Sequence, residues 1–222
     1  GASLILGSAL SATNPILVGL MVFFLALFLN PLRARLQRFI EARFFRGQSV
    51  YRARLQEFSH ELPQALELST ILDLLRRFAQ EGIQPTHLHI FVYDAFGDQY
   101  QAAPGEDGRP TSELQFSGES ALVSLLSSRR GSLFLADPVT LPEALSGERA
   151  RLSLLGSQLF LALPGRKRMT GWLALGARMS GEAYSRREID YLEILCDQAA
   201  LAIERFQVVV DLERRVQEMD VL

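Results

Sequence analysis

The sequence predicts an α+β fold in which helices flank an antiparallel sheet. Apolar residues recur every three or four positions in the segments before residue 79 and after residue 185, which is typical of helices. Between these segments the apolar period changes to two, and turns rich in glycine and proline separate short strand-like runs. The 222 residues carry a net charge of -2. The chain as a whole therefore lacks the excess of positive charge that is typical of nucleic-acid-binding proteins.

The first 32 residues contain no charged side chain. Residues 15–32 are apolar on every helical face, and a helix of that length reaches about 27 Å, close to the roughly 30 Å hydrocarbon layer of a bilayer. Asn14 and Pro15 suit the start of such a helix, because asparagine caps helices and proline is favoured at the first position. We therefore predict a transmembrane segment over residues 1–32, with a buried core helix as the alternative.

Five arginines and a single glutamate occupy residues 33–46, directly after the apolar segment. Positive charge beside a span indicates the cytoplasmic side, and anionic membrane lipid is the partner expected for it. One cysteine, Cys196, excludes an internal disulfide and agrees with a reducing compartment. The alternative partner, nucleic acid, lacks a recognisable binding fold around these arginines.

Helical spacing continues through residues 33–78, with an interruption at Gly47 and a kink at Pro63. Gly82 and Pro85 are expected to end this helical region. A short helix is predicted at 119–129 and a lid of helical turns at 137–156. The predicted strands cover residues 87–94, 100–103, 113–117, 132–136, 158–163 and 171–178.

A final helix begins at a capping box formed by Ser185 and Glu188. Its apolar positions continue at spacings of 3, 4 and 3 beyond any plausible globular core. Such a narrow apolar face favours a partner helix, so we expect a homodimer. The residues predicted to form this dimer helix are Val209, Leu212, Val216 and Met219.

Residues 170–204, TGWLALGARMSGEAYSRREIDYLEILCDQAALAIE, resemble the closing part of GAF domains from bacterial sensor proteins. They combine a strand that starts with glycine, a Tyr-Ser pair before an acidic helix start, and an alanine-rich helix. The resemblance extends over residues 66–205. It implies an antiparallel sheet with helices on one face and a ligand-sized pocket on the other, where an unidentified small molecule could bind.

The resemblance also implies an order of parts. A transmembrane segment (1–32), a helical connector (33–65), a GAF-like sensor domain (66–205) and an exit coiled-coil helix (206–222) together look like the sensory half of a membrane-bound histidine kinase. The protein is then expected in the cell inner membrane, with the GAF-like domain in the cytoplasm. Related architectures also transmit signals to cyclase or phosphatase domains.

His87 and His89 are the candidate cofactor-binding residues. They alternate on the first predicted strand, so both imidazoles are expected on one sheet face, where they could ligate a metal or haem. No third ligand with suitable spacing is visible, and two structural histidines are the alternative. The residues by which relatives bind bilins or cyclic nucleotides are missing, so the motifs indicate no particular cofactor.

His60 is followed by an acidic residue, as in the phosphoacceptor box of histidine kinases, but Pro63 lies too close and the segment precedes the sensor domain. A surface connector histidine is the alternative. Cys196 has apolar neighbours in the final helix and is predicted to be a buried thiol. No catalytic motif is present, so this chain itself is not expected to be an enzyme. Loop cations could meet an anionic ligand or only solvent: Arg129, Arg130, Arg166, Lys167 and Arg168.

Three hypotheses follow. The first is a non-catalytic signalling module that transmits a change through dimeric helices. The second is a sensor that binds a small molecule or cofactor. The third is a membrane scaffold whose domain only dimerises, with its pocket filled by its own phenylalanine and leucine side chains, whereas an open cavity favours sensing.

Overall fold

A computed structural model describes residues 50–105, 107–129, 131–135 and 141–219, with the side chains of the last helix described up to Val209. The helices are α1 (residues 50–61), α2 (Leu68–Ile83), α3 (Ala121–Arg129), α4 (Arg149–Leu155) and α5 (Arg186–Met219). Two 3₁₀ helices cover Leu62–Gln64 and Glu143–Glu148. The strands are β1 (Leu88–Asp94), β2 (Gln99–Ala102), β3 (Gln115–Ser117), β4 (Ser132–Phe134), β5 (Leu159–Leu163) and β6 (Gly171–Leu175).

The six strands form one sheet in the order β3-β2-β1-β6-β5-β4, and every neighbouring pair is antiparallel. The predicted α+β class with an antiparallel sheet is therefore confirmed, and each predicted strand lies within a few residues of an observed one. The central pair, β1 and β6, places Phe91 opposite Trp172.

Alternation along the strands divides the core into two layers. On the inner face, Leu88, Ile90 and Leu173 pack with residues of α2 and α5. On the outer face, Phe91 and Trp172 pack with residues of α3 and α4. The sheet thus has helices on both sides, long ones on the inner face and short ones on the outer face.

Helix α1 contributes directly to the inner layer. Phe58 is fully buried, and Leu62, in the 3₁₀ helix that follows, is 8% exposed. Both residues fall in the segment predicted to be a helical connector, 33–65. Pro63 lies in the first turn of this 3₁₀ helix, and a new helix starts at Leu68, so the helical run is divided near Pro63 rather than only kinked. The core therefore begins earlier in the chain than residue 66.

Helix α2 ends between Gly82 and Pro85, as predicted, but Gly82 has a different role from the one expected. Gly82 does not end the helix, which continues to Ile83, and the left-handed residue after it is Gln84, with φ 55°. Gly82 instead makes room for Tyr191 of α5, because a Cβ at residue 82 would lie 2.6 Å from the Tyr191 ring. The Tyr191 hydroxyl donates a hydrogen bond of 2.9 Å to the Phe78 carbonyl, which joins the two helices.

Helix α5 begins at the predicted capping box. The backbone N–H and the hydroxyl of Ser185 both donate to Glu188 Oε2 at 2.7 Å. The Glu188 N–H donates to Ser185 Oγ at 3.4 Å, and Arg178 forms an ion pair with the Glu188 carboxylate at 3.2 Å. The capping box is therefore confirmed, with an arginine partner that the local sequence did not indicate.

Within the part of the chain that the structure describes, no helix is both long enough and apolar enough to cross a membrane. The predicted transmembrane segment, 1–32, and most of the predicted connector lie outside the described residues.

Candidate functional site

The outer face of the sheet, where the resemblance placed a pocket, is filled by aromatic side chains. Phe91 and Trp172 stack with ring centroids 4.0 Å apart and 5° between their planes. Phe116 meets Trp172 edge-on at 5.2 Å, and Phe160 lies 6.0 Å from it. All four rings are fully buried, so their side chains fill the space at the centre of this face.

Short local elements cover this aromatic cluster. Leu122 and Leu126 of α3 and Leu152 of α4 are buried against it. Glu148 joins the two helices, because its carboxylate accepts hydrogen bonds from the first backbone N–H groups of α3, at 2.8 Å from Ala121 and 3.3 Å from the next residue. A carboxylate at a helix N-terminus satisfies donors that would otherwise be unpaired. No local pattern predicts this contact, which joins residues 27 positions apart in the chain.

His87 and His89 lie together at the start of β1, on the outer side, with ring centroids 5.3 Å apart. The two ring nitrogens of His87 are 3.3 Å from Thr86 Oγ1 and 3.2 Å from Ser157 Oγ. His89 Nδ1 is buried without a hydrogen-bond partner among the described residues. The side-by-side placement agrees with the predicted alternation, although His87 precedes the strand rather than lying within it.

The pKa of His89 is lowered from 6.5 to about 4, mainly by burial and further by electrostatic repulsion from His87 and Arg76, while a hydrogen bond with the Thr111 backbone opposes the shift. The imidazole is therefore neutral at neutral pH, as a metal ligand requires. Among the described residues, no group of three histidine, cysteine, aspartate or glutamate side chains could hold a metal ion. Ligation by His87 and His89 stays a prediction.

Cys196 is fully buried in the inner layer, as predicted. Burial raises the pKa of its thiol, so the reactive thiolate is suppressed. His60, the phosphoacceptor candidate, is exposed near the end of α1.

The loop cations occupy two different places. Arg166, Lys167 and Arg168 are exposed in the connection between β5 and β6, where they line a cavity. Arg129 is the last residue of α3, and Arg130 lies outside the described residues. The cations near the β5–β6 connection are thus the ones that the fold gathers at a concave surface.

Helix α5 carries an exposed apolar stripe that the sequence analysis missed. Ile194, Leu201 and Val208 are spaced seven residues apart and are 42%, 62% and 57% exposed. Seven-residue spacing keeps side chains on nearly one face of a helix. This stripe leads toward the predicted dimer residues, of which Val209 is 47% exposed. The side chains of Leu212, Val216 and Met219 lie outside the described residues.

Comparison with known proteins rests on structure. No protein-family model matches this chain, and no curated protein matches it in sequence. Several solved structures match along most of their length. A GAF domain from a phosphoenolpyruvate-protein phosphotransferase of Coxiella burnetii has a TM-score of 0.57 and 16% identity, over 72% of this chain and 96% of that one.

Two other similar structures come from signalling proteins. Residues 122 to 287 of a methyl-accepting chemotaxis protein have a TM-score of 0.55 and 15% identity, over 68% of this chain and 98% of that one. The GAF domain of a protein described as a sensor histidine kinase from Pseudomonas syringae pv. tomato has a TM-score of 0.52 and 16% identity, over 78% and 98%. These likenesses concern the fold, and the described part of this chain has a GAF-like fold.

Proposed function

We propose that this chain is a non-catalytic sensory module, the input part of a sensor histidine kinase, and that it transmits its state through paired helices. The observation that carries the proposal is the exposed stripe of Ile194, Leu201 and Val208 on α5. The similar structures from a chemotaxis protein and a histidine kinase support a signalling context.

The length of α5 supports the need for a partner. The helix continues to Met219, and among its described side chains Ile203 is the last buried one, Phe206 is partly buried, and Val208 and Val209 are exposed. Most helical stability in proteins comes from the packing of an apolar face, so exposed apolar side chains at the end of this helix favour a partner. A second copy that covers the apolar stripe stabilises this part of the helix.

Paired helices also suit transmission. Helix α5 is packed on the inner face of the sheet through Leu192, Leu195 and Ala199, so a change in the sheet layer reaches the paired region through one continuous element. Two packed helices have discrete alternative arrangements, and a signal acts by favouring one of them.

The test measures the oligomeric state of the full chain in detergent by light scattering. We expect a dimer for the native chain and a monomer for Leu201→Asp, because a charge in an apolar helix interface is destabilising. Leu154→Asp is the matched control, since Leu154 is 78% exposed on α4, away from the stripe, and it should stay dimeric. A native monomer, or a Leu201→Asp variant that is still a dimer, contradicts the proposal.

We also propose that residues 1–32 anchor the module in the inner membrane, with the GAF-like domain in the cytoplasm. The support is the uncharged apolar segment followed by arginines. The full chain should stay with membranes after an alkaline carbonate wash, and a chain without residues 1–32 should be released. Release of the full chain contradicts the anchor.

A dimerising scaffold without a ligand is the second candidate. The aromatic cluster around Trp172 favours it, because a filled sheet face leaves no room for a molecule at its centre. Binding of a small molecule elsewhere in the domain would favour the sensory module, and absence of such binding would favour the scaffold.

A further inference from the structure

We propose that the cavity beside the β5–β6 connection binds a small organic anion that has an oxyanion head and an apolar body. Three cationic side chains, Arg166, Lys167 and Arg168, lie at the rim of this cavity, and apolar side chains form its floor. This inference deepens the proposed sensory function by naming a class of signal, and its test is independent of helix pairing.

The cavity has a volume of about 340 Å³, within the range of small-molecule sites. Its floor consists of Val123 and Leu126 from α3, Ala162 from β5, and Met169, each no more than 8% exposed. Covering an apolar surface of this kind with the apolar part of a ligand is favourable, because it removes apolar area from water. The cavity borders the aromatic cluster but is not filled by it.

The rim carries three cationic side chains that form no ion pair among the described residues, although the carboxylates of Asp98 and Glu204 lie beside it. Arg166, Lys167 and Arg168 line the cavity, and in the described part of the chain no carboxylate lies within ion-pair distance of their side chains. Arginine binds the two oxygens of a carboxylate or phosphate through parallel hydrogen bonds, and lysine adds a point charge. The chemistry of the rim therefore selects an oxyanion.

One of these cations is held in place before any ligand arrives. The Arg168 guanidinium lies over the Tyr93 ring, 4.4 Å from its centroid. The Tyr93 hydroxyl in turn donates to Asp98 Oδ1 at 2.7 Å. A side chain that is already oriented loses less conformational entropy on binding, which strengthens the site.

The backbone of the rim is fixed to α5. The N–H of Arg166 donates a short hydrogen bond to the Glu204 carboxylate of α5. Gly165 permits this tight connection, because a Cβ there would lie 2.1 Å from the Arg168 carbonyl oxygen. Glu204 is three residues after Leu201 of the stripe. An anion bound at the rim therefore acts within one helical turn of the proposed pairing surface.

The experiment titrates the full chain in neutral detergent with phenyl phosphate, benzoate and inorganic phosphate, and with benzyl alcohol as an uncharged probe. The readout is the indole N–H resonance of Trp172, the only tryptophan, whose strand partner is the floor residue Ala162. We expect saturable shifts with a dissociation constant below about 1 mM for at least one aromatic anion. Inorganic phosphate and benzyl alcohol should bind at least tenfold more weakly, because phosphate lacks the apolar body and benzyl alcohol lacks the oxyanion head.

Two variants, each with a matched control, locate the site. The triple variant Arg166→Gln, Lys167→Gln and Arg168→Gln should weaken binding at least tenfold. A control with equal charge loss, made of Arg129→Gln, Arg149→Gln and Arg151→Gln, should bind normally. Ser127→Phe should block the cavity, because Ser127 is exposed at its lining, whereas Ser128→Phe on the next residue should not.

Absence of saturable binding overturns the inference. So does an equal loss in both triple variants, which indicates attraction by bulk charge, or unchanged binding by Ser127→Phe. If binding is absent while Leu201→Asp still dissociates the dimer, the anion site is wrong and the paired module stands. If anions bind and the native chain is monomeric, the site stands without the relay.

Discussion

The two faces of the sheet are covered in different ways. The inner face is lined by leucine and isoleucine and is covered by long helices, including α5 with its 34 residues. The outer face is lined by aromatic rings and covered by α3 and α4, which have nine and seven residues. Helices this short depend on tertiary contacts for their stability. The outer layer is therefore expected to open first, while the inner layer holds the helices for which we propose a role in signal transmission.

The largest expected effect tests the aromatic cluster. Trp172→Ala removes the ring that contacts three other aromatic side chains, so it should lower the free energy of unfolding by about 3–5 kcal/mol. Denaturant unfolding followed by circular dichroism measures the loss. Trp172→Phe keeps a ring and removes an N–H without a partner among the described residues, and should cost much less. A loss below about 1 kcal/mol for Trp172→Ala would mean that this face is not a packed layer.

The next effect concerns pH and His89. Its folded-state pKa of about 4 lies below the ordinary value of 6.5, so the unfolded chain takes up the proton first, and stability falls as the pH decreases from 6.5 toward 4. Between pH 7 and pH 5 the native chain should lose at most about 2 kcal/mol through this residue, and less where solvent screens its half-buried ring. His89→Gln removes the titrating group, so its loss over the same range should be smaller by that amount.

Denaturant unfolding at the two pH values measures the difference. Exposed His60 provides the control, and His60→Gln should behave as the native chain. Identical pH dependence in His89→Gln and the native chain would show that folding does not lower the pKa of His89.

A smaller effect tests the contact that holds the outer cover. Glu148→Ala leaves two N–H groups at the start of α3 without their acceptor, and should cost about 0.5–2 kcal/mol, as other helix caps do. Hydrogen exchange should accelerate at Ala121 and Leu122, while the amides of α5 stay protected. Exposed Glu143→Ala in the same 3₁₀ helix is the control. Faster exchange spread evenly over both layers would remove the distinction between the two faces.

The features that the sequence predicted correctly are local. The capping box of Ser185 and Glu188 is closed within three residues, and the strands follow from alternation and from turns rich in glycine, as between Asp94 and Gln99. Burial of Cys196 follows from the helical pattern around it.

The features that the sequence missed depend on contacts between distant residues. Nothing near Glu148 shows that its carboxylate caps α3, and nothing near Gly82 shows that Tyr191 packs on it, since these pairs form only when the layers assemble. The stripe of Ile194, Leu201 and Val208 was hidden for a related reason. Apolar residues recur on several faces of α5, and only the packed sheet shows which face stays uncovered.

Disulfide cross-linking at Leu201 tests the central claim most directly. Leu201→Cys in the full chain places a thiol in the middle of the stripe, and the native Cys196 does not compete because it is buried and burial raises the pKa of its thiol. Under mild oxidation we expect a covalent dimer of Leu201→Cys and none of Arg149→Cys, which places an exposed thiol on α4. If Leu201→Cys stays monomeric, or if both variants cross-link equally, the stripe on α5 is not a pairing surface.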